Sequence, residues 1–468
     1  MMYSAVLVCA TYVVPLIVFP YVSRVLRPEN FGLVNFIDST VDYFIILSML
    51  GMNILGIREI AACRDNRKAV SRTFSSLLTL NMITTGIVCV LLEGAYLIVP
   101  ELREAPQLMA IGALKLIFNC FLIEWLYKGL ERFRYISLRA VSVKLLFVAG
   151  VFVCVKSIDD YTQYYALFVG AIIVNALINI FHSRRFVTFS LRRLELRKFI
   201  KPFAVIGCYS VLTAMYTTFN AVYLGIAVNE SQVAYYVTAV KVCGIILVLF
   251  TIISDVMMPR LSARLARGER KEFCRDIRIN FSLLIAFAMP AVCFGCIMAP
   301  EIVRALCGEG YEGAVMPLRI AFPLVLVIGA EQIMVYQSLV PMKRDRTIFF
   351  NALIAALLAI ILNLMLVGTW GAVGSAVVWV ACEVAVFVLS QRAVWRSGIR
   401  FPFVTALREA LMYAPLGFLL WKITGFVENP YFSLTFAVIL TLVYCGALHA
   451  IMRRSSVLVA AWRNLSEA

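Results

Sequence analysis

The sequence predicts an all-α polytopic membrane protein, and three observations lead there. The chain is 62% hydrophobic and only 15% charged, whereas a soluble domain is nearer half apolar and about a quarter charged. Apolar stretches long enough to cross a bilayer as helices recur from end to end. The basic residues fall in short clusters between those stretches, as cytoplasmic loops do, and form no single patch. The net charge of +16 is therefore read as membrane orientation and not as a nucleic-acid footprint.

Breaking the chain at polar, proline and glycine clusters predicts about fourteen spans. The first, 3–23, opens on "MMYSAVLVCATYVVPLIVFP". It lacks a basic leader and a small-residue cleavage site, so it reads as a retained helix with almost no arm before it. "SRVLRPENFG" then reads as a short external loop. Pro28 and Gly32 make its turn, and Asn30 caps the second span, 32–56. Spans 74–98 and 106–127 follow, separated by "VPELREAP". Span 139–156 is the least regular because it holds Lys144, and 162–182 is entered through Asp159 and Asp160. The second half reads as spans 203–226, 232–257, 280–299, 316–340, 348–368 and 371–391. Spans 409–426 and 431–451 complete the set.

Alternate connections differ sharply in charge. The segments 57–73, 128–139, 183–202, 258–279, 341–347, 392–408 and the C-terminal tail hold 33 of the 43 Lys and Arg residues. The opposite connections hold Arg24, Arg27, Arg103, Lys156 and Arg304, alongside acids such as Glu101, Glu104, Glu309 and Glu312. By the positive-inside rule both termini are cytoplasmic. The long loops 183–202 and 258–279 read as orientation signals with amphipathic surface helices.

Sliding the chain by 202 residues lays "ENFGLVNFIDSTVDYF" over "SQVAYYVTAVKVCGII", and Arg58 over Arg260. Such a duplication is a recurrent transporter plan. The expected organisation is a six-helix bundle at 1–202, a second at 203–400, and helices 13–14 with a cytoplasmic tail at 401–468.

Ionisable residues inside spans mark cavities, pathways or buried ion pairs. Asp42, Lys115, Lys241, Glu331 and Glu383 fall near mid-membrane at about 1.5 Å per helical residue. Lys144, Asp255 and Lys422 lie close enough to span ends to snorkel. Asp38 and Asp42 share one helix face, as do Lys115 and Asn119, and nearly so Lys241 and Asp255. Two readings stand: interhelical ion pairs that hold the bundle, or a polar cavity with a proton or sodium site. Eight of the thirteen cysteines sit inside apolar runs, where Cys behaves as a small hydrophobe. "CFGC" at 293–296 has redox spacing but lies within a span. The two histidines give no metal spacing, and no Ser/His/Asp group or phosphate-cradling glycine loop is present. The residues read as a multi-span secondary transporter with no cofactor, no enzyme and no ATP-driven pump on this chain.

The stretch "PLIVFPYVSRVLRPENFG" resembles the first-helix exit of bacterial polysaccharide flippases of the O-antigen type, the Wzx-like transporters. These belong to the multidrug/oligosaccharidyl-lipid/polysaccharide exporter superfamily. The resemblance continues through "SMLGMNILGIREIAACRDN" and returns at "LCGEGYEGAVMPLRIAFPLVLVIGAEQIMVYQSLVPMKRD". It departs from the family at Arg27, where glycine is usual, and in its clipped N-terminal arm. The resemblance implies a fourteen-helix, two-lobed fold in the bacterial inner membrane that moves undecaprenyl-diphosphate-linked oligosaccharide to the outer leaflet by alternating access, coupled to H+ or Na+. It also implies lipopolysaccharide assembly partners, a polysaccharide polymerase and a chain-length regulator. An anionic diphosphate wants cations, so Arg24, Arg58, Lys115, Asn119, Lys241 and Arg319 are the candidate substrate contacts. Asp38, Asp42, Glu331 and Glu383 are the candidate ion-coupling groups. Two other classes stay open: a drug or cation antiporter of the same superfamily, against which Lys115, Lys241 and Arg319 argue, and a non-transport membrane enzyme of polysaccharide assembly, which would need a large external loop or a catalytic His/Asp group.

Overall fold

The computed structural model describes residues 2–192, 194–399, 407–408, 410–426 and 429–452. Among them the regular structure is entirely helical. The C-terminal tail from 453 and most of the 400–409 connection lie outside the described residues, and so do the expectations placed on them. Two compact units divide between Ala234 and Tyr235, one helix pair later than the 202/203 boundary drawn from the sequence.

The first unit contains α1 (Met2–Met49), α2 (Met52–Cys63), α3 (Arg67–Ile98), the single turn α4 (Pro100–Arg103) and α5 (Pro106–Asn119). It continues with α6 (Glu124–Gly129), α7 (Phe133–Cys154), α8 (Tyr161–Ser183), α9 (Leu196–Ala214) and α10 (Phe219–Ala227). Helix α1 is central and packs against α3, α5, α7 and α10. The second unit is built from the rest of α11 (Glu230–Ala266) and from α12 (Arg270–Ile297), α13 (Ala299–Cys307), α14 (Val315–Ala321) and α15 (Leu324–Met334). Helices α16 (Asp345–Leu362), α17 (Gly368–Arg396), α18 (Ala414–Phe426) and α19 (Pro430–Met452) complete it. There α17 packs on α14, α15 and α16, and the last two helices pack on α12 and α13.

Ten helical stretches among the described residues are long and apolar enough to cross a membrane, or eleven when the bent pair α9–α10 counts as one. Two of them, Ile17–Cys63 and Asp345–Arg396, run to 47 and 52 residues, more than twice the roughly 20 that one crossing needs. Both contain backbone breaks, at Arg27 (φ 58°) and at Gly371 (φ 53°). Large apolar side chains such as Val90, Leu146 and Phe432 are 70–73% exposed. Water would penalise such surface, so these faces meet lipid.

Local chemistry accounts for the punctuation. Asn66 starts α3 because its Oδ1 accepts from the backbone N–H groups of Lys68 and Ala69, at 3.1 and 3.2 Å. The break between α5 and α6 leaves the Leu122 carbonyl without a helical donor, and the side-chain amide of Asn179 on α8 donates to it. Around this break Trp125, Tyr127, Phe74, Phe199 and Phe203 form a buried aromatic core joining α2, α3, α6 and α9.

The expected loop over 23–32 takes a different form. Helix is interrupted at Arg27 alone, and Pro28 begins the next helical segment, where its missing N–H costs nothing. Asn30 does not cap: its Nδ2 donates to the Ile158 carbonyl, at 2.7 Å. Gly32 makes no turn. It sits in the helix where a Cβ would fall 1.8 Å from the Glu230 carbonyl oxygen.

The long basic connections also differ from expectation. Helices α11 and α12 run through most of 258–279, leaving a turn at 267–269. Residues 187–192, 194 and 195 form no surface helix, and Thr188, Ser190 and Glu195 are fastened to α3. The N–H groups of Thr188, Ser190 and Glu195 donate to the hydroxyls of Ser71, Ser75 and Ser76, at 3.2, 3.0 and 3.0 Å. Ser75 and Ser76 in turn donate to the carbonyls of Ser71 and Arg72 one helical turn back. Arg72 closes the seam on Glu195, at 3.1 Å. The three basic connections of the first unit thus gather at one end of it.

Candidate functional site

Two candidate groups of ionisable residues predicted from the sequence, Asp38 with Asp42 and Lys115, meet in the helical interior of the first unit. Asp38 and Asp42 lie one turn apart on α1, and α5 brings Lys115 between them. Lys115 Nζ is 2.6 Å from Asp38 Oδ1 and 2.6 Å from Asp42 Oδ1. The lysine side chain is 4% exposed, Asp38 22% and Asp42 45%, so burial falls off from the cation toward Asp42. Gly112 permits this approach: a Cβ there would stand 2.6 Å from Val41 Cγ2 on α1. The helices can therefore close one turn before Lys115. Above the ammonium, Phe168 of α8 presents its ring face, 5.2 Å to the centroid, which favours a cation. Tyr165, also of α8, is wholly buried beside them.

An ammonium has three donors, and two of them go to carboxylates here. With all three groups ionised the cluster carries one net negative charge. Asp42 is its most exposed member.

The second unit brings together two acids predicted from sequence. Glu331 on α15 and Glu383 on α17 face one another as neighbouring carboxyl groups. Trp379 Nε1 donates to Glu383 Oε1, at 3.1 Å. A neutral chain lies elsewhere in this unit: Asn280 donates to Gln337 at 2.7 Å, and Gln337 to Ser254 at 3.0 Å. Gln337 belongs to a π-helical turn, Val335–Leu339. Such turns recur at functional sites.

The remaining candidates are placed differently. Arg24 is exposed on α1. Arg58 turns to its neighbour Glu59, at 3.0 Å. Asn119 is half-buried at the end of α5, one turn beyond Lys115. Lys241 is half-buried on α11, and the side chain of Asp255 lies outside the described residues. Arg319 Nε donates to the Cys296 carbonyl, at 3.1 Å, satisfying one of the last carbonyls of α12. The sequence reading missed Arg139, which it placed at a loop edge. Its side chain is 4% exposed and meets Glu124 at 2.8 Å, with Lys128 at 3.4 Å from the same carboxylate. An acid inside span 106–127 with two basic residues just after it was the available signal.

A family model described as polysaccharide biosynthesis protein matches residues 1–264, more than half the chain and the whole of the first unit. The chain belongs to the polysaccharide biosynthesis protein family. It is 26% identical over 390 residues to a protein of Escherichia coli K12 named "Putative O-antigen transporter", covering 81% of this chain and 92% of that one. Among solved structures it is similar to the lipid II flippase MurJ in an inward closed conformation. The TM-score is 0.75 at 16% identity, with 97% and 99% of the two chains covered. It is also similar to the MATE multidrug transporter DinF-BH, with a TM-score of 0.56 at 15% identity over 84% of this chain and 93% of that one. At these identities the likeness establishes the fold. The resemblance read from "PLIVFPYVSRVLRPENFG" therefore holds for the family and for an all-helical transporter fold, with ten or eleven apolar spans among the described residues where fourteen were expected.

Proposed function

We propose that this protein is a flippase that carries undecaprenyl-diphosphate-linked oligosaccharide from the inner to the outer leaflet of the bacterial cytoplasmic membrane. It does so by alternating access with fourteen crossings and both termini cytoplasmic, as a transporter and not an enzyme. Its family, the name of its E. coli relative and a fold shared with a lipid flippase support this reading. The carrying observation is Lys115, a buried ammonium held between Asp38 and Asp42.

The cluster works by partner exchange. While both aspartates are charged, Lys115 is committed to them. A proton or sodium ion taken up at half-exposed Asp42 removes part of that hold and frees Lys115 for an anionic diphosphate. Uptake of the cation and uptake of the lipid head are then linked through one side chain, which is what coupling requires. The carboxyl pair Glu331–Glu383 supplies a second place for a proton. Released at the outer leaflet, the lipid-linked unit meets the polymerase and its chain-length regulator.

The test is surface polysaccharide in a strain lacking its own flippase. Lys115→Ala should abolish export with protein level and membrane insertion intact, and Lys115→Arg should retain part of it. Asp38→Asn/Asp42→Asn should export without responding to collapse of the ion gradient. Full export by Lys115→Ala would sink the proposal. Reporter fusions near Pro106, near Glu230 and after Ala468 test the orientation, and a periplasmic C-terminus would overturn it.

A further inference from the structure

The gathered connections of the first unit border an open pocket of about 410 Å³, a size in the range of small-ligand sites. It lies between the turn that follows α2, the turn between α6 and α7, and the residues just after α8. Arg64, Arg67, Arg132 and Arg185 line it, against the acids Asp65 and Glu131. Four guanidinium groups against two carboxylates leave a lining with two net positive charges.

The arginines are arranged, and not merely numerous. Arg64 Nη1 meets Glu131 Oε1 at 2.5 Å, which ties the end of α2 to the α6–α7 turn and forms one wall. Arg67 Nη2 donates to the Arg185 carbonyl, at 3.3 Å, which holds the third segment against the first. The Arg132 guanidinium lies over the Phe186 ring, 5.2 Å from its centroid. A guanidinium held over a ring spends none of its N–H donors on that contact, so they stay available to an oxyanion. Glu131 sits at φ 57°, a left-handed conformation uncommon outside glycine and costly for a long side chain. The backbone is pinned there by Glu131 N–H to the Lys128 carbonyl and Arg132 N–H to the Tyr127 carbonyl, at 3.1 and 2.8 Å. That geometry sets Arg132 against Phe186.

We infer that this pocket is a binding site for a phosphate-bearing anion, with Arg132 and Arg185 as its principal contacts and the Arg64–Glu131 pair as its wall. A phosphate or diphosphate group supplies the two negative charges and the forked oxygens that the lining lacks. The group can belong to a phospholipid head, to a lipid-linked diphosphate or to a free ion; the chemistry recognised is the same. The inference does not rest on the transport reading, because the pocket shares no residue with the Asp38–Asp42–Lys115 cluster.

The experiment uses the full chain in detergent micelles with two probes. Inorganic diphosphate is titrated by calorimetry at low salt. Separately, the chain is exchanged into bilayer discs of phosphatidylglycerol with phosphatidylcholine, and the retained lipid is read by native mass spectrometry. Diphosphate should bind, and Arg132→Gln/Arg185→Gln should weaken it by about tenfold or more, as loss of charge-assisted contacts does. Arg132→Lys/Arg185→Lys should keep part of the affinity, and Glu131→Gln should tighten it. Retention of phosphatidylglycerol that the Gln variant loses assigns the site to phospholipid. Diphosphate binding with no preference between the two lipids assigns it to a diphosphate outside the bulk bilayer. Should the Gln variant fail to fold, the Lys variant and Glu131→Gln carry the comparison, since both act on exposed side chains. Absence of binding to either probe overturns the inference, as does affinity that is the same in every variant.

Discussion

Lys115→Met keeps most of the side-chain volume and removes the ammonium, which makes it the sharpest probe of the α1–α5 cluster. The change deletes two hydrogen bonds of 2.6 Å to charged acceptors and leaves two carboxylates one turn apart with no cation between them. Removing one partner of a buried ion pair costs about 3–5 kcal/mol. Asp42 is 45% and Asp38 22% exposed, so water recovers part of their solvation and the expected loss is at the lower end, about 3 kcal/mol. Exposure also ranks the two acids. Asp38→Asn should cost more than Asp42→Asn, and the larger coupling in a double-mutant cycle should be Lys115 with Asp38. Lys115→Met/Asp38→Asn should regain about half of the loss, since one carboxylate remains and water reaches it. Equilibrium unfolding in mixed micelles reads these variants, with Lys115→Met/Asp42→Asn to close the second cycle, against the native chain. A Lys115→Met protein as stable as the native one would show that these short contacts carry no net energy, and the burial argument would fail. Recovery of stability without recovery of export in Lys115→Met/Asp38→Asn would separate a coupling role from a structural one.

Three further predictions follow from the packing. Arg27→Gly should stabilise by about 1 kcal/mol, because relief of a strained positive φ exceeds the entropy that glycine adds to the unfolded chain; unfolding in the same micelles measures it. Gly225→Ala should lose about 1–3 kcal/mol by overpacking, since its Cβ would stand 2.1 Å from the Phe36 ring, while Gly170→Ala, with nothing within 4 Å, should not. Arg139→Met should lose about 3 kcal/mol, and Glu124→Gln added to it should restore part of that, by the logic of an abandoned buried charge.

How much of this was legible in the sequence depends on the range of the physics. Lipid-facing spans are a local property of side chains, so the apolar runs marked the helices well. Asp42 and Lys115 stood out for the same reason, each being an ion in an apolar stretch. Their meeting did not, because Lys115 is separated from Asp38 by 77 residues and several acids were equally plausible partners. The break at Arg27 was visible as polar residues but misread as a loop: one strained residue interrupts the helix, where a turn was expected to need several. Helices α11 and α12 ran past their apolar windows because a helix, once started, continues through polar sequence until something stops it. Arg139 was lost to hydropathy altogether. A basic residue at a span edge looks solvated unless its acidic partner is known.

The serine seam along α3 changes how the described residues 184–192 behave as a polymer. Read as sequence, they are a basic tether whose closure entropy grows with its length. Fastened at Thr188 and Ser190, with Glu195 held beyond them, they have little free contour, and this stretch has given up its slack before α9 begins. A protease needs an extended, unfastened stretch to work on. Cleavage at exposed Arg192 should therefore wait until the hydroxyls of Ser75 and Ser76 let go. The rate at which trypsin nicks this site becomes a clock for the opening of α3.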